Sequence, residues 1–496
     1  MLGRAGFRRR FGGVTVTLLE TLSPSSPPSF GLFVGGEPRG GSGPALELVS
    51  RHDASVIGKV ASASPDDVAD AYARADAALA AWSALPPADR AAILLRAAGL
   101  FRERAVELAE VISAEMGKPL GEATVEVQKG AAILEYFAQA PYRTTGSTFV
   151  TDTGEDVFTI AEPLGVVLLI TPWNFPFTLP MRKIAAALST GNTVLFKPAT
   201  NSALCGLAIG RTLVDAGLPD DVMSVIVGDS NVIQEALFQD SRLAGVSLTG
   251  SYPTAQAIRR LLPVEVPFQA ELGGKNALLV WRDADLDTAL DVIWQSSFRN
   301  NGQICTSCGR LLVHEDIAPG LIERLRSAIA SAPDETASGR FGVLSSEREF
   351  GKIRDVLGRA GATAAEVIDA DWGPDRMSPT VIVTPPDGEL TTEEIFGPVI
   401  TFETVVSVED AISRANATAY GLTAGVVTND LDVAKQFWSG VKSGLVKVNV
   451  PLTGTPFHIP LRGWRHSGAG PGEGGDVSVD FFTKQKAIYL RRPRTT

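Results

Sequence analysis

The sequence predicts an α/β protein of two parallel-sheet units, and three observations carry that prediction. Four apolar runs, Val166–Ile170, Thr193–Phe196, Val222–Val227 and Val246–Leu248, have the length and composition of buried strands. Helical spacing fills the gaps between them, at Leu179–Leu188, Ala203–Ala216 and Val232–Phe238. The alternation resumes after Glu271, with strands near Ala277–Val280 and Arg310–Val313 and helices near Ala289–Arg299 and Ile322–Ala330. Strand–helix alternation builds parallel sheets with helices on both faces. The two units are expected to meet near residue 271, with ligands where the strands end at that junction.

The flanking segments read in order. Arg4, Arg8, Arg9 and Arg10 precede the stretch from Ser23 to Pro28, with no acid before Glu20. A transit peptide has that composition, but no cleavage-like site follows, and a disordered extension or an early start over residues 1–30 is the preferred reading. Apolar residues then recur at helical spacing over Asp66–Leu85 and Ala88–Met116, on either side of Pro86-Pro87. No short internal repeat is evident.

Composition excludes several classes. With 45% hydrophobic and 20% charged residues in 496, the chain is globular, and no apolar run reaches the length of a membrane span. A net charge of -11 argues against a nucleic-acid partner, because phosphate binding needs a cationic face. Three cysteines suit a reducing compartment, so a cytoplasmic location is expected. The four histidines, His52, His314, His458 and His466, lie too far apart for a metal-ligand cluster, and no metal is expected.

Candidate chemistry is concentrated in four loops. Asn301-Gly302-Gln303-Ile304-Cys305-Thr306 puts a cysteine after a glycine, where its sulfur can be exposed beside free backbone N–H groups. Glu271-Leu272-Gly273-Gly274-Lys275 sets a carboxylate at a strand end, and Thr171-Pro172-Trp173-Asn174 sets an amide at another. Glu393-Glu394-Ile395-Phe396-Gly397-Pro398 adds a further carboxylate. Cysteine, carboxylate and amide are the nucleophile, base and oxyanion donor of acyl transfer. Cys308 and Cys205 are read as packing residues, although Cys305-x-x-Cys308 also has redox spacing.

These motifs, in this order, resemble the aldehyde dehydrogenase superfamily from about Phe33 to Leu490: Pro172-Trp173-Asn174, Phe196-Lys197-Pro198, Thr249-Gly250-Ser251, Glu271 to Lys275, Gly302 to Cys305 and Glu394 to Pro398. The 34-residue interval from Glu271 to Cys305 fits as well. The resemblance implies two Rossmann-like domains, for cofactor and catalysis, plus a small β element for oligomerisation. It divides the chain into residues 31–143 and 162–271 for NAD(P), 272–463 for catalysis, and 144–161 with 464–496 for assembly into a homodimer or homotetramer. The tail Val479–Leu490 is expected to be the assembly strand, beside Thr144–Ala161.

Carried over by position, the resemblance makes Cys305 the nucleophile, Asn174 the oxyanion donor and Glu271 the base that hydrolyses a thioester. It assigns the dinucleotide to Trp173, Lys197, Thr200, Thr249, Gly250, Ser251, Leu272, Glu394 and Phe396. Lys197 would reach the adenine ribose and Glu394 the nicotinamide ribose. Thr200, where NAD-preferring relatives often carry glutamate, favours acceptance of NADP as well as NAD, while Asp229 opposes it. Ala255 and the run Pro460-Leu461-Arg462-Gly463 depart from the usual pattern, the second beside the expected substrate tunnel.

The substrate implied is a short aldehyde with a distal carboxylate, held by Arg182, Arg299 and Ser467 as in succinate semialdehyde dehydrogenases. His458-Ile459-Pro460 with Gly470 to Gly474 resembles 2-oxoglutarate semialdehyde dehydrogenases instead. Gly302 to Cys305 with Gly309-Arg310 is similar to benzaldehyde and vanillin dehydrogenases, which keeps an aromatic aldehyde as the alternative. A non-catalytic protein with this fold would be expected to lack Cys305 or Glu271, and both are present.

Overall fold

In the computed structural model, residues 10–11, 14–15, 27–143, 146–333, 335–336, 339–340, 343–370, 372, 376–385 and 388–491 are described. The apolar runs of the first half become one sheet. Val166–Thr171 lies at its centre between Thr193–Pro198 and Leu243–Thr249, all parallel, with Met223–Val225 and Phe268–Glu271 outside them. Antiparallel strands close both sides: Leu32–Val34 with Glu37–Arg39, and Gly468–Ala469. Burial on both faces explains why these strands read as continuous apolar runs.

The second sheet is built in the same way. Asn276–Val280 pairs in parallel with Cys308–His314 and Thr423–Val427, and Val399–Val405, Thr380–Val383 and Leu445–Val448 extend it. Its two faces feed separate cores. Leu278, Val280 and Leu311 pack into one, and Ala277, Leu279 and Leu312 into the other, as the two-residue strand period requires. The chain crosses between the sheets from Glu271 to Asn276, so both present strand ends to one junction. Helix starts are written locally: Asp67 and Ser64 exchange hydrogen bonds of 3.2 and 2.8 Å as a reciprocal cap for Pro65–Ser83. Among the described residues no helix is long and apolar enough to cross a membrane.

Several expectations need correction. Within residues 1–30, Ser29–Phe30 is a strand parallel to Lys59–Val60, with Phe30 buried in the core, and Arg10–Phe11 pairs with Val14–Thr15. Pro28 is buried as well, and residues 1–9, 12–13 and 16–26 lie outside the described residues. The helical stretch Ala88–Met116 is two helices, Pro87–Glu103 and Ala105–Met116. Arg104 sits at the break, where its guanidinium reaches Asp215 at 2.8 Å and Thr212 at 3.2 Å. The tail is a helix, Gly475–Phe481, before the strand Thr483–Leu490 begins. That strand pairs with Asp156–Pro163, which also pairs with Thr148–Phe149. Part of 464–496 instead joins the first sheet, through Ala270 and Ala469.

Candidate active site

Cys305 is delivered by a strained turn. The helix Leu286–Ser297 ends near Arg299, and Asn300, Asn301 and Gly302 then follow with φ of 49°, 53° and 69°. Three successive left-handed residues reverse the chain in very little length, at a conformational cost for the two asparagines. Gly302 is required for a second reason: a Cβ there would meet the Gly397 carbonyl oxygen at 2.1 Å. The loop is then pinned from behind, with Asn276 Nδ2 donating to the Cys305 carbonyl at 2.8 Å and to the Ser307 carbonyl at 2.7 Å.

Asn174 comes to the same place from the end of strand Val166–Thr171. It is buried, its Nδ2 donates to the Gln303 carbonyl at 3.0 Å, and its Oδ1 has no partner. Its backbone carbonyl accepts from Lys118 Nζ at 2.9 Å and from Asn300 Nδ2 at 3.2 Å. One N–H of the Asn174 amide therefore remains for a ligand, the other being held by Gln303, two residues before Cys305.

Glu271 ends strand Phe268–Glu271, its carbonyl accepting from the Gly250 N–H at 3.0 Å. The carboxylate is buried without a hydrogen-bond partner of good geometry, the nearby Gly463 N–H acting only as a weak donor. Burial pushes its pKa well above the usual carboxylate range, Glu473 raises it further, and Lys183 and Arg182 oppose the shift. Lys183 donates to Glu473 at 3.1 Å and to Ser247 at 2.9 Å, so a buried ion pair stands beside Glu271. The Cys305 thiol is half-buried. Its pKa is pushed up to about 12 by burial and by Glu394 and Glu271, with Arg182 pulling the other way.

The residues assigned to the dinucleotide gather at the first sheet's strand ends. Thr249 is buried there with an unpartnered hydroxyl, and Ser251 caps helix Tyr252–Leu261 by accepting from the Thr254 N–H at 3.3 Å. Lys197 is buried, its pKa brought down to about 8 by burial and partly restored by Asp229. Glu394 accepts from the Gly274 N–H at 2.8 Å, and a Cβ on Gly273 would strike its carboxylate at 2.2 Å. Trp173 and Phe396 meet edge to face, with centroids 5.7 Å apart. Leu272 donates its N–H to the Ser467 carbonyl, and Thr200 opens a short 3₁₀ turn. An orphaned hydroxyl, a buried lysine and a carboxylate held by backbone suit a dinucleotide.

The three residues assigned to the substrate stand in different surroundings. Arg182 is buried, donates through Nη2 to the Thr455 carbonyl at 2.7 Å, and leaves Nη1 without a partner. Arg299 is exposed at the start of the Asn300–Gly302 turn. Ser467 is fully buried, and its hydroxyl accepts from the Gly421 N–H at 2.9 Å. Cys308 packs in the core with its sulfur against the Arg310 carbonyl at 3.3 Å, and Cys205 is also buried. Sequence reading missed Lys183, Glu473 and Lys118, whose only signal was a charged residue inside an apolar helix or loop.

Comparison with known proteins settles the family. The sequence profile of the aldehyde dehydrogenase family matches residues 39–488. The chain belongs to the aldehyde dehydrogenase family. This aldehyde dehydrogenase is 34% identical to the 2,5-dioxopentanoate dehydrogenase of Saccharolobus solfataricus, over 88% of this chain and 93% of that one. It is also 34% identical to a betaine aldehyde dehydrogenase of Cereibacter sphaeroides, over 93% and 97%. A solved structure of PnpE in complex with nicotinamide adenine dinucleotide superimposes with a TM-score of 0.90 at 30% identity, covering 93% of this chain and 97% of that one. The enzyme is an NAD(P)-dependent oxidoreductase of α/β fold that takes aldehydes to carboxylic acids.

Proposed function

We propose that this aldehyde dehydrogenase oxidises a short aldehyde carrying a carboxylate at its far end, with Cys305, Asn174 and Glu271 as the catalytic residues. The Cys305 thiol releases its proton to solvent, the net proton of the reaction, and the sulfur adds to the aldehyde carbon, while the free N–H of Asn174 and the Cys305 backbone N–H meet the new oxyanion. Bound dinucleotide supplies the acceptor for the hydride that turns the thiohemiacetal into a thioester. Lys197, Thr200, Thr249, Gly250, Ser251 and Leu272 would hold its adenosine and pyrophosphate side, and Glu394, Trp173 and Phe396 its nicotinamide side. Glu271 then takes a proton from the water that attacks the thioester, releasing the acid and restoring the thiol. Its raised proton affinity suits that work, since a base poised nearer neutrality transfers protons most efficiently.

The observation that carries the substrate is Arg182, a buried guanidinium with one donor unpartnered, electrostatically linked to both Cys305 and Glu271. Such a cation favours a carboxylate and repels a quaternary ammonium, so among relatives of equal identity the chain sides with the 2,5-dioxopentanoate enzyme against the betaine aldehyde enzyme. Kinetics with succinate semialdehyde, 2-oxoglutarate semialdehyde, butanal and benzaldehyde test this. The acids should lead, and Arg182→Leu or Arg299→Leu should raise KM for them roughly 10–100-fold. Preference for benzaldehyde, or equal loss on all four, would reject the reading. The enzyme is further proposed to be a cytoplasmic homodimer or homotetramer assembled through the sheet that ends in Thr483–Leu490.

A further inference from the structure

If the far end of the substrate is anionic, on which this inference rests, the site holds more positive charge than one carboxylate can neutralise. Two cations contact the loop Thr453–Thr455, and two more stand on elements tied to that loop or to the helix of Arg182. Arg182, in helix Thr178–Ser189, donates to the Thr455 carbonyl, and its Nη1 is buried and unpartnered. Lys447, in strand Leu445–Val448, donates to the Thr453 and Gly454 carbonyls at 2.9 and 3.3 Å. The Thr453 hydroxyl donates to the Gln295 carbonyl at 2.9 Å, joining the loop to the helix that delivers Arg299. Lys129 lies in helix Leu120–Ala138, one turn beyond Glu126, whose carboxylate accepts from the Phe177 and Thr178 N–H groups at the start of Arg182's own helix.

Electrostatics agree with that arrangement. Burial, then Arg182 and Arg299, pull the Lys129 pKa below the lysine range against a restoring effect from Glu126. Burial and Lys129 bring Lys447 down to about 8. Neighbouring acids are already engaged. Glu126 holds the buried Lys118 besides two backbone N–H groups, and Glu122 accepts from the Asn300 N–H at 3.2 Å. Among the described residues none of the four cations has a carboxylate within ion-pair range. Arg182 is buried and Lys129 and Lys447 are half-buried; such cations left uncompensated are costly, and a ligand that neutralises them recovers that cost.

We propose that Lys129 and Lys447 are specificity-determining residues which, with Arg182 and Arg299, select an aldehyde whose far end carries two negative charges, as a phosphate monoester or a pair of carboxylates. Arg182 takes the deeper oxygen and the two lysines the outer charge.

The test compares kcat/KM for butanal, 5-oxopentanoate, 2-(3-oxopropyl)malonate and 4-oxobutyl phosphate, in wild type, Lys129→Gln, Lys447→Gln and Lys129→Arg. One or both dianions should exceed 5-oxopentanoate by about tenfold, and whichever leads separates phosphate from dicarboxylate. Each glutamine variant should cut the dianion-to-monoanion ratio about tenfold, through KM rather than kcat, and Lys129→Arg should retain it. Propylmalonate should likewise inhibit the wild type more tightly than butyrate, a measurement that needs no variant. If 5-oxopentanoate outruns both dianions, or if the glutamine variants leave the ratio unmoved, the inference is overturned while the single-carboxylate reading stands. Equal use of butanal and 5-oxopentanoate would overturn both.

Discussion

At the scale of single residues, the proposed chemistry divides between a thiol that attacks and a carboxyl that hydrolyses. Cys305→Ser should leave the fold and dinucleotide binding intact and lower oxidation by several orders of magnitude, because a neutral hydroxyl is a far weaker nucleophile than a thiolate. A single-turnover trace with wild-type NAD(P)H formation in that variant would remove Cys305 from the mechanism. The base makes a second prediction. Glu271 must be ionised to act, and burial and Glu473 hold its pKa high. Glu473→Gln removes a negative neighbour and leaves Lys183 less compensated, and both changes favour the ionised form. Where hydrolysis limits turnover, the rise of kcat with pH should therefore move to lower pH in Glu473→Gln. A profile that stays in place, or moves to higher pH, would show that Glu473 does not tune the base.

Elements were legible to different degrees, for identifiable reasons. The central strands were found because burial on both faces makes them continuously apolar, as at Val166–Thr171 and Thr193–Pro198. The break at Arg104 was not, since no glycine or proline marks it and the contacts that shape it come from Asp215 and Thr212, a hundred residues away. Strands Gly43–Val49 and Val56–Ser62 were missed as well, their alternation blurred by bulges in the pairing. The loops of the candidate site could be read because their chemistry is local, whereas Lys183, Glu473, Lys129 and Lys447 matter only through neighbours that the fold supplies. A paired substitution tests the turn that presents Cys305. Gly302→Ala should destabilise the protein by about 3 kcal/mol and depress kcat, since its Cβ meets backbone 2.1 Å away at φ 69°. Gly358→Ala, on an exposed helix face with nothing within 4 Å, should stabilise by about 0.5–1 kcal/mol. Denaturant melts giving both variants the same sign would refute the account of the turn.

For the molecule as a whole, the two large buried sheets meet over the site, while a three-stranded sheet that includes the last strand is left largely to solvent. Thr483–Leu490, Asp156–Pro163 and Thr148–Phe149 form an antiparallel sheet whose edge strands carry Phe149, Tyr489 and Leu490, all more than half exposed. Val150 beside them is entirely exposed. Phe149 and Tyr489, both opposite Val157, share one face and expose a patch of the kind that protein interfaces cover, and an edge strand offers unpaired backbone to a second chain. On the same sheet Lys486 pairs with Glu162, Arg491 pairs with Glu155 at its end, and Lys484 donates to the Leu164 carbonyl, so most of its cations are already engaged and its outward attraction is chiefly apolar. The double variant Phe149→Asp with Tyr489→Asp would set two negative charges within that patch, where desolvating them opposes association. Light scattering should then report a smaller species than wild type, with unchanged far-ultraviolet circular dichroism. High salt should do little to dissociate the wild type, because an apolar contact is not screened. An unchanged mass in the double variant would reject this sheet as the assembly surface. Dissociation of the wild type by salt alone would instead assign the contact to charged faces elsewhere.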